Sequence, residues 1–154
     1  MAVITRLRTR LFHLAHVAMR PMTLGTRCAA FDAEGRVFLV RHTYVPGWYL
    51  PGGGVDAGET VEAALHRELR EEGNLELLEA PELVGIYFNR GASRRDHVLF
   101  YRCRRVRQTA PKPADREIAE SGFFALDALP ENTTASTRRR LAELADAGPL
   151  DPFW

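Results

Sequence analysis

Glu68, Glu71 and Glu72 are the residues of this 154-residue chain whose spacing invites chemistry. On a helix, positions i, i+3 and i+4 share a face. At ~100° per residue the three carboxylates point within about 100° of one another. Uncompensated, they repel, and a like-charged i,i+4 pair alone costs about 0.3 kcal/mol. A hard divalent cation removes that repulsion, and carboxylate oxygen is the donor that Mg²⁺ or Mn²⁺ prefers. The competing assignment is a solvated acidic face with Arg67 and Arg70 as partners. Context favours the cation. An apolar stripe of Val61, Leu65 and Leu69 borders the carboxylates and sets them at the edge of a packed face. Gly52, Gly53 and Gly54 lie just upstream, where backbone without side chains can offer a carbonyl to a metal and leave room for a phosphate.

The carboxylates need a helix to hold them. Thr60 is suited to cap it, with Glu62 in the first turn. Gly73 and Asn74 end it, since both tolerate the left-handed cap conformation. Upstream, "TLGTRCAAF" and "RVFLVRH" read as strands of a hairpin whose turn is Asp32 to Gly35. "TYVPGW" is a loop, followed by the short apolar "WYL". Downstream, "ELVGIYFN" and "HVLFYRCRRV" read as strands joined by the polar turn "RGASRRD". The Pro-rich "RQTAPKPADRE" is a loop, "ESGFFAL" a last strand, "STRRRLAELADA" a helix and "GPLDPFW" a tail. No repeat or linker interrupts this order. The expectation is one α+β domain over residues 1–154, with one helix inserted between strands.

The net charge of +1 supplies no whole-protein field to attract nucleic acid or a membrane surface. That charge is uneven: residues 1–31 carry Arg6, Arg8, Arg10, Arg20 and Arg27 and no acid. Residues 1–20 form a basic amphipathic segment with three readings: a transit-peptide-like stretch, a membrane-surface helix, or a helix packing Leu7, Leu11 and Leu14 on the domain or on a second subunit of a homodimer. No run is long and apolar enough to span a bilayer. Cys28 and Cys103 stand alone with no metal-ligand spacing, which reads as two reduced core thiols in a cytoplasmic protein.

Gly53, Glu59, Arg67, Glu68, Leu69, Glu71, Glu72 and Leu75 together resemble the Nudix box, G-x5-E-x7-R-E-U-x-E-E-x-G-U, where U is bulky and aliphatic. Asn74 stands where the box has its final Gly, and Asn is the next-best residue for a left-handed cap. The flanking "GWYLPGGGV" and "REIAESGFFALDALP" are similar to segments of the same family, so the resemblance covers most of Leu24 to Pro130. It implies an α-β-α sandwich with a mixed central sheet. It also implies an Mg²⁺- or Mn²⁺-dependent hydrolase that cleaves a diphosphate linkage in a small nucleotide, such as a nucleoside triphosphate or nucleotide sugar. Glu68, Glu71 and Glu72, with the Gly52 carbonyl, would hold the metal. Glu68 and Glu71 would also serve the attacking water. Arg67 and Glu59 would brace the cluster. The family often adds a glutamate from a distant loop, for which Glu117 fits best and Glu120 second; a solvated loop acid is the competing reading for both.

Substrate contacts are less legible. Trp48, Tyr44 and Tyr87 can stack on a base or fill the core, with the core favoured for Trp48. Asn89, Asp96 and His97 flank the "RGASRR" turn and can read a ribose or base, or cap a hairpin. Tyr44, Asn89 and His97 are the substrate-binding candidates. A non-catalytic nucleotide-binding module on the same fold remains the alternative, although such members lose box glutamates that are all present here. An isopentenyl diphosphate isomerase would need a catalytic Cys before the box, and Cys28 lies in an apolar strand.

Overall fold

The computed structural model describes residues 12–16, 18–19, 21–146 and 148–154. The elements run β1 (Thr23–Ala30), β2 (Val37–His42), α1 (Val61–Gly73), β3 (Leu75–Leu77), β4 (Glu82–Phe88), β5 (Asp96–Cys103), β6 (Val106–Gln108), β7 (Ile118–Phe124) and α2 (Ala135–Ala145). β5 lies between β1 and β4, parallel to the first and antiparallel to the second. β2 pairs antiparallel with β7, and β3 with β6.

Period-2 alternation sorts the apolar residues into two cores. Cys28 and Ala30 of β1, with Phe38 and Val40 of β2, join Leu65 and Leu69 of α1. Ala29, Val37 and Leu39, from the same two strands, face the other way and join Trp48, Tyr87, Phe100 and Leu141 of α2. Strands buried on both faces carry near-continuous apolar runs, as these do. The result is the expected α-β-α sandwich with a mixed sheet. Trp48 and Tyr87 are core residues, 8% and 1% exposed.

Three readings of the sequence are corrected. The turn at Asp32 forms, with Gly35 at φ +75° and the Asp32 carboxylate accepting from the Glu34 and Arg36 amides. Its flanking segments do not pair as a hairpin beyond one bridge, Phe31 to Val37. β1 instead has β5 on one edge and the glycine turn on the other, so β2 finds β7. The run "HVLFYRCRRV" is two strands, because the chain breaks at Arg104–Arg105 and Val106 starts β6. The tail is docked: the Phe88 amide donates to the Pro152 carbonyl at 2.8 Å and the Trp154 amide to the Phe88 carbonyl at 3.1 Å.

Of the basic N-terminal segment, residues 12–16 and 18–19 are helical and Leu14 is exposed. Leu7 and Leu11, on which its expected packing depends, lie outside the described residues. Among the described residues no helix is long and apolar enough to cross a membrane. Cys28 and Cys103 are buried and unbonded.

Candidate active site

The glycine turn is laid along the free edge of β1. The Thr26 amide donates to the Gly53 carbonyl at 2.8 Å, the Cys28 amide to the Pro51 carbonyl at 3.1 Å, and the Val55 amide to the Leu24 carbonyl at 2.9 Å. Gly52 has φ +135°, and a Cβ there would overlap the Thr26 carbonyl. Gly53 is needed for a different reason: a Cβ would come within 2.5 Å of the Glu68 carboxylate carbon. The turn therefore brings bare backbone against the acidic helix face.

Helix α1 forms as its signals require. Thr60 accepts from the Ala63 amide, Leu65 and Leu69 are buried, and Asn74 is the left-handed cap at φ 52°, ψ 38°. The Asn74 side chain also donates to the Ala110 and Pro111 carbonyls at 3.3 Å each, tying the helix end to the Pro-rich loop. Packing of the apolar stripe turns Glu72 inward, where its side chain is 8% exposed, and leaves Glu71 at 59%.

Arg67 organises the rest. Its guanidinium donates to Glu59 at 2.6 Å, to Glu68 at 2.7 Å and to the Gly54 carbonyl at 2.9 Å, and stands 3.5 Å from Glu71. The Arg67 hydrogen bond holds Glu59 below its usual carboxylate range and raises the guanidinium further. Burial pushes Glu68 up, and Arg67 opposes it. Burial pushes Glu72 up to about 7, against the pull of Arg27 and the Gly52 amide, which donates to Glu72 at 2.7 Å. A carboxylate kept this dry lacks a cation of its own.

Glu68, Glu71, Glu72 and Glu117 line one cavity of about 370 Å³, with Arg70, Asn74, Lys112 and Asp115 around it. Glu117 enters from the chain before β7, fixed where the Thr43 amide donates to its carbonyl at 2.9 Å and its own amide to Asp115. Glu120 is turned elsewhere and pairs with Arg41 at 2.8 Å across β2 and β7. Among the described residues no three acidic, His or Cys side chains already stand at ligand distances. Glu68 is held by Arg67 and Glu72 by the Gly52 amide. The donor chemistry, several carboxylate oxygens on one cavity, suits a hard divalent cation.

Two residues escaped the sequence reading. The Arg27 guanidinium donates to the Gly52 carbonyl and to the Leu50 carbonyl, the latter at 3.2 Å. It is the one charge in an otherwise uncharged strand run, the only signal the sequence offered. His42 is 8% exposed, with Nε2 3.9 Å from Glu72; burial and Arg27 lower its basicity. Nothing in the sequence set this histidine apart.

A second cavity, of about 680 Å³, lies across the glycine turn and takes in Arg27, Tyr49, Gly53, Gly54, Asn89, Asp96 and Trp154. Asn89 of the substrate candidates lines it. Tyr44 is 72% exposed, its ring 5.1 Å from that of His42. His97 faces away from Asp96 along β5, its ring 5.4 Å from that of Phe88.

Comparison with known proteins agrees with this geometry. A family model for the NUDIX domain matches residues 21–144. The chain is 45% identical over 58 residues to an RNA pyrophosphohydrolase of Gluconobacter oxydans, covering 34% of each protein. It is 35% identical over 97 residues to the 8-oxo-dGDP phosphatase NUDT18 of Mus musculus, 63% of this chain and 29% of that one. These matches span about a third of the curated relatives' lengths. The MutT NUDIX hydrolase of Burkholderia pseudomallei superposes with a TM-score of 0.66 at 29% identity, covering 79% of this chain and 97% of that one. An ADP-ribose pyrophosphatase of Streptococcus suis gives 0.61 at 27%, covering 84% and 96%. With its glycine turn, capped acidic helix and two-faced sheet in register with that match, the chain belongs to the Nudix family.

Proposed function

We propose that the protein is a metal-dependent hydrolase of a diphosphate linkage in a small nucleotide derivative, working in the cytoplasm. The observation that carries the reading is the buried Glu72 carboxylate, raised to about 7, on the cavity shared by Glu68, Glu71 and Glu117. In this reading Glu68, Glu71, Glu72 and the Gly52 carbonyl hold Mg²⁺ or Mn²⁺. That carbonyl has a second lone pair beside the one that meets Arg27. When bound, the cation neutralises phosphate charge and acidifies a water.

The chain's own groups do the rest. Arg67 keeps Glu59 and Glu68 in place, so that little reorganisation accompanies the reaction. Of the cavity carboxylates Glu68 is held by Arg67 and Glu72 is buried on the Gly52 amide, which leaves Glu117 and the exposed Glu71, and one of these takes the proton of the attacking water at a carboxylate oxygen. Arg27, at the border of the two cavities, meets the phosphates of a substrate that spans them. Asn89 contacts the nucleoside. Tyr44, on the rim, and His97, on the reverse of β5, contribute only if the neighbouring loops close over the substrate.

The relatives' names suggest the first compounds to try: 8-oxo-dGDP, ADP-ribose and an RNA carrying a pyrophosphate linkage, alongside nucleoside triphosphates and nucleotide sugars. The expected result is cleavage of at least one small nucleotide with Mg²⁺ and none with chelator. Binding without turnover across the whole panel would establish a regulatory module instead.

A further inference from the structure

Arg27 lies on the acceptor that the proposed function gives to the cation. Its guanidinium donates to the Gly52 carbonyl, and to the Leu50 carbonyl at 3.2 Å. The Gly52 amide donates to Glu72 at 2.7 Å, so one glycine joins Arg27 on its carbonyl side to the dry carboxylate on its amide side. That glycine is fixed in place. The Pro51 and Gly53 carbonyls on either side of it accept from the Cys28 and Thr26 amides of β1.

Arg27 differs from Arg67 in what it meets. Arg67 is held by Glu59 and Glu68. Among the described residues Arg27 has no carboxylate at ion-pair distance, and its bonds go to two carbonyls. It acts on the acids through space. Burial raises the Glu72 and Glu68 carboxyls, and Arg27 draws both down. A guanidinium bound to neutral oxygens is held less firmly than one matched to carboxylates, and is more easily given up to another anion. There is somewhere for it to go. Arg27 is half-buried and lines the larger cavity, of about 680 Å³, where it is the one basic side chain among the described residues.

The second lone pair of the Gly52 carbonyl gives room for two cations, but their charges oppose it. A guanidinium and a divalent cation on one oxygen repel each other, and in a partly buried site water screens that repulsion poorly. Phosphates at the border of the two cavities relieve it, because they offer the guanidinium anionic oxygens in a matching fork. We propose that Arg27 is an exchangeable counter-ion of the acidic site: it holds the Gly52 carbonyl, yields it when a divalent cation binds, and turns to the phosphates of the substrate. Cation and substrate then favour each other's binding. The exchange rests on the diphosphatase reading above, and it gives Arg27 opposite effects on two ligands, against the cation alone and in favour of the substrate.

Arg27→Gln removes the charge and keeps an amide that can donate to a carbonyl. Arg27→Met keeps only the apolar stem, and if it does not fold, Arg27→Gln carries the same comparison. In calorimetric titrations with Mn²⁺ alone, both should bind about tenfold or more tightly than wild type. Mn²⁺ should also raise their melting temperatures by more than it raises that of wild type. The same variants should show a KM for the best nucleotide about tenfold higher. Arg27→Lys, which keeps the charge, should stay within about threefold of wild type in Mn²⁺ affinity. Unchanged Mn²⁺ affinity in the neutral variants would reduce Arg27 to a phosphate ligand, and weaker Mn²⁺ binding would reduce it to a prop of the glycine turn. Either result overturns the exchange, and does so without touching the diphosphatase reading if wild type cleaves a nucleotide. Tighter Mn²⁺ binding by the neutral variants of a protein that cleaves nothing would sink the diphosphatase reading and leave the counter-ion standing.

Discussion

Glu72 and Glu143 are both helical glutamates withdrawn from water, with side chains 8% and 18% exposed. Their surroundings differ. Glu143 is fully matched: one oxygen accepts from Arg140 at 2.6 Å, the other from the Tyr87 hydroxyl at 2.9 Å. Arg140, itself 0% exposed, also donates to the Phe153 carbonyl and lies 4.0 Å from the Tyr87 ring centre. Glu72 has one backbone amide, a histidine at 3.9 Å and the distant pull of Arg27. A satisfied buried carboxylate stabilises the fold, whereas an under-satisfied one is poised for a ligand. The same residue type therefore marks structure on α2 and function on α1.

Glu72→Gln should break this contrast most severely. It keeps size and removes charge, so kcat should fall roughly 10²- to 10³-fold, while urea melts without metal show no loss of stability. Its pH dependence sharpens the point. A carboxyl group raised from 4.5 to about 7 in the fold binds its proton more tightly there than in the unfolded chain. Its contribution is therefore complete below pH 4.5 and lost as pH rises to about 7, on the order of 3 kcal/mol. Metal-free wild type should lose more stability over that window than Glu72→Gln. Equal slopes would show that Glu72 is solvated.

Gly53→Ala comes next. The new methyl displaces the Glu68 carboxylate, a flexible end, so rate should drop about 10- to 100-fold with the melting temperature nearly kept. Gly52→Ala is its counterpart, because it collides with backbone at Thr26 and adopts a strained φ; it should cost the fold. Should both variants lose stability alike, the glycine turn would be structural throughout.

Glu143→Gln tests the other carboxylate. It leaves the buried Arg140 short of its counter-charge, and should cost roughly 3 kcal/mol in urea melts with kcat within about twofold of the parent. A large loss of kcat in the stable fraction would erase the distinction between the two glutamates.

Asn74 gives the smallest expected effect. Asn74→Val forces a β-branched residue into the left-handed region and should cost about 1–2 kcal/mol. Asn74→Gly relieves the backbone but gives up the bonds to Ala110 and Pro111, so it should fall within about 0.5 kcal/mol of the parent. A Val variant as stable as the parent would move the cap elsewhere.

Much of α1 was legible because its signals are local. Thr60, Leu65, Leu69 and Asn74 each act within one or two turns of the next, and a helix converts their spacing into geometry. The fixed interval from Gly53 to Leu75 carried the family for the same reason. The turn at Asp32 was local too, but the partner of β1 was not. Strand pairing depends on which edge is free after the whole chain has folded, and the glycine turn had taken that edge. The break at Arg104–Arg105 was hidden because a continuous β pattern looks the same whether or not the strand changes partner.

By itself the sequence determined the acidic face, the cap that ends it, the glycine turn before it and the two-sided apolar strands, all through interactions of short range. Only the tertiary structure decided that Glu72 is dry while Glu71 is wet, since the two are neighbours about 100° apart around the helix and packing alone selects which points inward. It decided that Glu117, not Glu120, reaches the cavity, because Glu117 lies in the chain before β7, fixed by Thr43 and Asp115, while Glu120 on β7 is paired with Arg41 of β2. It also brought Arg27, Asn89 and Trp154 to one cavity. They lie far apart in the chain, and no local interaction encodes their meeting.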